Sequence, residues 1–231
     1  MSGGGSGVTA ASIIGVATAS PDAGAHFALL GRSHLIEQTE AWVGWTDAEL
    51  ESERMALRER MAAASETGKV TIVEWNSEWQ RFTRSRDVYL TLSSITSTGN
   101  AASYHPVDVM DYDGMVTVGA SLGRVITGLV HGAGLEDSKL VGQKDSSVFD
   151  KVVRVKVDGW RCMLAACTAS GADLPTFAAC FTSVAGRFGN GGQTDYAAAN
   201  SVLDAEMARL TASGVCRAVA IGWTGWRDVG M

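Results

Sequence analysis

Ser2-Gly3-Gly4-Gly5-Ser6-Gly7-Val8-Thr9, the small apolar run Ala10 to Ala19 and then His26-Phe27-Ala28-Leu29-Leu30 read in turn as loop, helix and buried strand. Glycines let such a loop turn tightly and bring its backbone amides up to a pyrophosphate at a helix N-terminus. A glycine-rich start is also how a flexible tail looks, so the segment gains its meaning from the residues downstream of it. Four more apolar runs read as strands: Ala102 to Val107, Ile126 to Val130, Ala178 to Thr182 and Ala218 to Ile221, with helical patterns between them. That alternation predicts an α/β fold, a doubly wound parallel sheet with helices on both faces and ligands beyond the carboxyl ends of its strands.

Residues 35–100 break the alternation. They are charged, with helical periodicity over Asp47 to Ala64 and again over Arg86 to Thr98. This predicts a helical insertion at 35–85 followed by a crossover helix. The chain has 231 residues, 46% of them hydrophobic and 19% charged, which suits a globular α/β protein. A net charge of -6 gives no attraction for phosphate backbones or anionic membranes, and no apolar run is long enough to span a bilayer. No nucleic-acid or membrane partner is therefore expected. Cys162, Cys167, Cys180 and Cys216 lack CxxC spacing, and they read as reduced core thiols of a cytoplasmic protein with no metal site.

The residues after each strand carry the chemistry. Gly3, Gly4, Gly5, Ser6, Gly7 and Val8 form the candidate phosphate cradle. Gly31-Arg32-Ser33 follows the first strand, and Arg32 with Ser33 is placed to pair with a ribose 2′-phosphate, which favours NADPH over NADH; a solvated surface arginine is the alternative. Asp108-Val109 follows the next strand, where a carboxylate can accept from an adenine amino group, or else cap the next helix. His131-Gly132-Ala133-Gly134 puts small residues where a strand end must clear a nucleotide, or forms a plain turn.

The densest pattern is Phe181-Thr182-Ser183-Val184-Ala185-Gly186 followed by Tyr196-Ala197-Ala198-Ala199-Asn200. Tyr196 and Asn200 share one helix face. Carbonyl reduction by hydride needs a proton donor at the developing alkoxide, and a tyrosine serves if a nearby cation lowers its pKa. Ser183 then holds the carbonyl oxygen, Asn200 an ordered water, and Lys156 in Val155-Lys156-Val157-Asp158-Gly159 is the cation. Singly, each has a plain reading: a snorkelling lysine, a packed aromatic, a helix-surface amide.

Together these residues resemble the ketoreductase domains of polyketide and polyunsaturated-fatty-acid synthases, in the short-chain dehydrogenase/reductase superfamily, over nearly the whole chain. Lys156, Ser183, Tyr196 and Asn200 match that family's four roles in order, and Gly186, Phe188-Gly189 and Gln193 match the surrounding pattern. Thr9 and the tryptophan-containing insertion after Arg32 look more like the polyunsaturated-fatty-acid branch. The resemblance implies a Rossmann-like fold in which NADPH reduces C3 of a ketoacyl chain, while Tyr196 donates the proton. It further implies a phosphopantetheine-linked substrate on an acyl carrier protein, and other synthase domains in cis. Free-ketone reduction by a stand-alone enzyme, or a non-catalytic nucleotide-binding role, are the alternatives.

Three departures from the family shape the expectations. Only Met1 precedes the glycine loop, where the family has its first strand, so the sheet is expected to lack that strand and residues 1–231 to be a catalytic piece of a larger multidomain synthase. The chain stops at Gly230-Met231, where a substrate-covering helix begins in the family. Leu135-Glu136-Asp137 only approximates the Leu-Asp-Asp signature of one product configuration, and no configuration is assigned.

Overall fold

A computed structural model describes residues 1–37 and 39–225, so the expectation at Gly230-Met231 lies outside the described residues. The glycine loop leads into α1 (Gly7–Ala19) and β1 (His26–Gly31); α2 (Asp47–Ala64), α3 (Ile72–Thr96), β2 (Ala101–Pro106), α4 (Tyr112–Ser121) and β3 (Gly128–His131) come next. The chain then forms α5 (Ser146–Ala169), β4 (Phe177–Ser183), the short α6 (Val184–Phe188), α7 (Thr194–Ala212) and β5 (Arg217–Trp223).

Every strand pairing is parallel. β1 pairs with β2, with Leu29 opposite Tyr104, and β4 lies between β3 and β5, with Cys180 opposite both His131 and Ala220. Residues 178–182 of β4 are buried throughout, as a central strand covered on both faces must be. Ser2 joins the two strand groups, bridging Leu30 on one side and His131 on the other. Among the described residues, the sheet position between β1 and β3 is held by Met1 and Ser2 alone. The Met1 amine donates to Ala28 O at 2.7 Å, Leu30 N to Met1 O at 2.8 Å, and Ser2 N to Val130 O at 3.0 Å.

Helices cover the sheet in two groups, each with its own core. Ile13 and Ala17 of α1 and Ile95 of α3 pack with Phe27 and Leu29 of β1. Met115 of α4, Met163 and Cys167 of α5, and Leu203 and Met207 of α7 pack with Leu129, Ala178 and Cys180. All four cysteines are buried and free. Capping boxes start the insertion helices, Thr46 with Glu49 and Thr71 with Glu74. The boundary expected at residue 85 does not exist, because α3 runs unbroken from Ile72 to Thr96 and so belongs to both insertion and crossover. No helix among the described residues is long and apolar enough to cross a membrane.

Helices α4 and α5 touch at Gly119, where a Cβ would stand 2.1 Å from the Ala166 carbonyl oxygen. A backbone atom cannot swing aside as a side-chain tip does, so Gly119→Ala must push the helices apart. The expected loss is about 1–3 kcal/mol, read as a lower urea midpoint with an unchanged slope.

Candidate active site

The carboxyl ends of the strands open into one cavity of about 1440 Å³. Its wall is made by the glycine loop, by Leu30–Ser33 after β1, by 107–109 after β2, by 132–136 after β3, by 181–185 at the end of β4, and by Tyr196 and Trp223.

In the glycine loop, Gly3 adopts φ +70, and its amide donates to Leu30 O at 3.1 Å. An added Cβ there would come within 3.0 Å of the backbone of Gly132 and Ala133, so only glycine fits this turn. Ser6, Gly7 and Val8 line the cavity where α1 begins, and Ser6 makes no side-chain cap. The first-turn amides of α1 therefore face the cavity without a capping side chain. Gly4 and Gly5 are not part of the cavity wall. A Cβ on Gly4 would press on Ile13 and Leu29, and one on Gly5 would lie 2.8 Å from Val88, so these glycines let α1, β1 and α3 close around the loop.

Arg32 is exposed on the cavity rim beside Ser33, whose carbonyl accepts from Tyr104 Oη at 2.9 Å. Asp108 and Val109 line the wall; Asp108 Oδ1 accepts from Met110 N at 3.0 Å. The helix-capping role left open for Asp108 falls instead to Asp111, which accepts from Gly114 N at the start of α4. Gly132, Ala133 and Gly134 line the cavity.

His131 does not. It closes β3 with no exposed surface, its Nδ1 2.6 Å from Ser2 Oγ and its Nε2 2.9 Å from Lys156 O. A carbonyl only accepts, so Nε2 carries the proton and Nδ1 accepts from the Ser2 hydroxyl. Burial, and next the Lys156 charge, lower its pKa to about 3. His131 is thus a neutral strut tying the glycine loop to α5, and it leaves the cavity wall to the three residues after it.

Lys156, Ser183 and Tyr196 line the same cavity. Lys156 is 3% exposed, and its Nζ donates to Phe181 O at 2.9 Å and lies 5.8 Å from the centre of the Tyr196 ring. Burial lowers its pKa to about 8. Ser183 ends β4, and its Oγ accepts from Ala185 N at 3.2 Å, which leaves the hydroxyl proton free to be donated. Burial pushes the Tyr196 phenol above its ordinary value, against the opposing pull of hydrogen bonding with the side chains of Asn200 and Ser183. The net shift is upward, the opposite of the lowering by a cation that the sequence led us to expect. Asn200 sits one turn on, fully buried behind the wall; its Nδ2 donates to Tyr196 O at 2.7 Å, while its Oδ1 is buried with no partner among the described residues.

The sequence reading missed Arg84, Asp87 and Thr91, which reach the cavity from α3. A helical pattern names the buried face of α3 but not what its edge overlooks. Thr182, whose buried Oγ1 has no partner among the described residues, was passed over beside Ser183.

This geometry has known counterparts. A sequence model of the family described as KR domain matches residues 21–228. One polyunsaturated fatty acid synthase chain of Thraustochytrium is 30% identical over 210 residues, covering 87% of this chain and 7% of that protein. Polyketide synthase ThaG of Burkholderia thailandensis is 38% identical over 136 residues, 55% of this chain and 2% of that protein. The chain thus spans a small part of these relatives. Among solved structures, a ketoreductase domain from the bacillaene assembly line superposes with a TM-score of 0.67 at 22% identity, covering 100% of this chain and 44% of that one. A 3-oxoacyl-[acyl-carrier protein] reductase of Brucella melitensis with bound NAD superposes with a TM-score of 0.59 at 19% identity, covering 96% and 68%. These two likenesses establish the Rossmann-like fold of short-chain dehydrogenases, and the family match over nearly the whole chain goes further: the protein belongs to the KR, or ketoreductase, domain family.

Proposed function

We propose that this domain reduces a 3-ketoacyl thioester to the 3-hydroxyacyl thioester with NADPH, the acyl chain being presented on the phosphopantetheine arm of an acyl carrier protein. The observation that carries the reading is that Lys156, Ser183 and Tyr196 line the same cavity as the Gly3 turn, the uncapped start of α1 and Arg32. The residues fit a dinucleotide. The Gly3 cradle would be filled by any Cβ, the first amides of α1 suit a pyrophosphate, and the rim guanidinium suits a 2′-phosphate.

NADPH supplies the hydride that C3 of the ketone receives, and is itself oxidised. Ser183 donates its hydroxyl proton in a hydrogen bond to the substrate's carbonyl oxygen, so that negative charge develops against a donor. Tyr196, kept protonated by its burial, transfers its phenolic proton to that oxygen as the C–O bond becomes an alcohol. Lys156 faces the phenolate left behind and lowers the cost of forming it. Asn200 holds the backbone carbonyl of Tyr196 and keeps its own buried oxygen available to the proton path that reloads the phenol.

The decisive experiment follows the near-ultraviolet absorbance of reduced nicotinamide with an acetoacetyl thioester as substrate. Turnover is expected; binding of NADPH with turnover only of a free ketone would instead favour the stand-alone reductase reading. Arg32→Ala should weaken NADPH by roughly 10- to 100-fold, the worth of a charge-assisted hydrogen bond, and leave NADH nearly unchanged. Equal losses for both nucleotides, measured by titration, would remove the 2′-phosphate contact.

A further inference from the structure

The segment after β3 is fastened to the start of α7 at several points. Gln193 Nε2 donates to Glu136 Oε1 at 2.9 Å and to Ser138 Oγ at 3.2 Å, and Lys139 N donates to Gly192 O at 3.0 Å. A fourth tie is different in kind. Lys144 Nζ lies 2.8 Å from Asp195 Oδ1, with the two side chains only 4% and 1% exposed. Each of the other ion pairs among the described residues has both partners more exposed than this.

The pair is placed to act on one residue. Asp195 Oδ1 also accepts from the backbone N–H of Tyr196 at 2.9 Å, and Lys144 Nζ also donates to Asp137 O at 2.5 Å. Gln193, at the N-cap of α7, makes no side-chain cap, so Asp195 takes over part of that task from inside the first turn. Asp195 Oδ2 has no partner among the described residues. Lys144 is thus the cation facing this buried carboxylate, and the two form a bridge from the cavity-lining loop at Leu135 and Glu136 to the amide of Tyr196.

Stability alone is a poor reason for such a bridge. Desolvating both charges offsets most of their attraction, and apolar replacements of similar volume are often as stable or more so. What the pair adds over an apolar contact is a fixed direction and distance, and it adds them one residue from the phenol. We propose that Lys144 and Asp195 are a positioning pair that sets Tyr196 for proton transfer, an inference that rests on the reading of Tyr196 as the acid.

Asp195→Asn keeps an oxygen for the Tyr196 amide and loses the charge; Lys144→Met keeps the stem and loses the charge; the double variant carries both changes. Expected for each is a kcat lower by roughly 10- to 100-fold, the penalty for sub-ångström misplacement of a reacting group, with NADPH affinity unchanged. The double variant should regain the thermal midpoint that Lys144→Met loses, because no buried charge is left unpaired, yet should not regain kcat. Lys144→Arg should recover most of it. Full kcat in Asp195→Asn, alongside an inactive Tyr196→Phe, overturns the positioning role and leaves the acid assignment intact. Wild-type turnover in Tyr196→Phe removes the acid, and the proposal with it. A double variant that recovers kcat and midpoint together shows a merely structural pair and overturns the proposal. Amide exchange at Tyr196 gives a readout free of turnover: protection should fall in Lys144→Met, and unchanged protection counts against the bridge.

Discussion

Tyr196→Phe is expected to lower kcat by roughly 10²- to 10⁴-fold, the usual worth of a positioned general acid, while leaving the affinity for NADPH close to wild type. The substitution removes one oxygen and, with it, the hydrogen bonding to the side chains of Asn200 and Ser183. The ring stays beside Lys156, whose Nζ is 5.8 Å from its centre, and the backbone contacts with Asp195 and Asn200 do not involve the side chain. Loss confined to kcat and kcat/KM identifies an interaction made in the chemical step, whereas a rise in KM or in the nucleotide dissociation constant would point to binding. Steady-state rates with an acetoacetyl thioester, paired with equilibrium titration of NADPH, separate the two. The Ser183 hydroxyl accepts from Ala185 N, and in the proposed mechanism its single proton is committed to the substrate oxygen. It is therefore a poor substitute, and retained turnover would require the proton to come from outside the Lys156, Ser183 and Tyr196 group.

Much of this site was legible because its parts are local. Ser183, Tyr196 and Asn200 fall within one strand-to-helix unit, and a central parallel strand such as β4 is an uninterrupted apolar run. Helix α2 is read at its observed bounds from its helical periodicity, and a capping box of Thr46 and Glu49 starts it there. What escaped depends on partners distant in sequence. His131 reads as a loop residue beside three small neighbours, and its burial is decided by Ser2, 129 residues away, and by Lys156 on α5. Gly4 and Gly5 read as ligand-cradling because all glycines look alike in a sequence; only the approach of Ile13, Leu29 and Val88 reveals that packing requires them. Lys144 and Asp195 gave no signal, because a lone lysine and a lone aspartate are solvated surface residues by default.

The strut formed by His131 makes the fold sensitive to acid, and this sets the second large effect. Its pKa falls from an ordinary 6.5 to about 3 in the folded protein, chiefly through burial. Between those values the unfolded chain binds a proton that the folded chain refuses, so stability rises with pH across the window. The contribution is therefore complete above pH 6.5 and is progressively lost as the pH falls toward 3. One proton over the descent from 6.5 to 4 amounts to on the order of 3 kcal/mol, a large part of the stability of an ordinary domain. His131→Gln isolates the contribution of the imidazole. The amide can donate to Lys156 O as Nε2 does, but it cannot take up a proton in this range. Its stability at pH 7 should fall, since the bond from the Ser2 hydroxyl is lost or lengthened. The slope of unfolding free energy between pH 6.5 and 4, from urea midpoints at fixed ionic strength, should nonetheless be shallower by about one proton's worth. Parallel curves for the two proteins would mean that the imidazole is protonated in the folded state, and the neutral bridge between the glycine loop and the lysine-bearing helix would have to be abandoned.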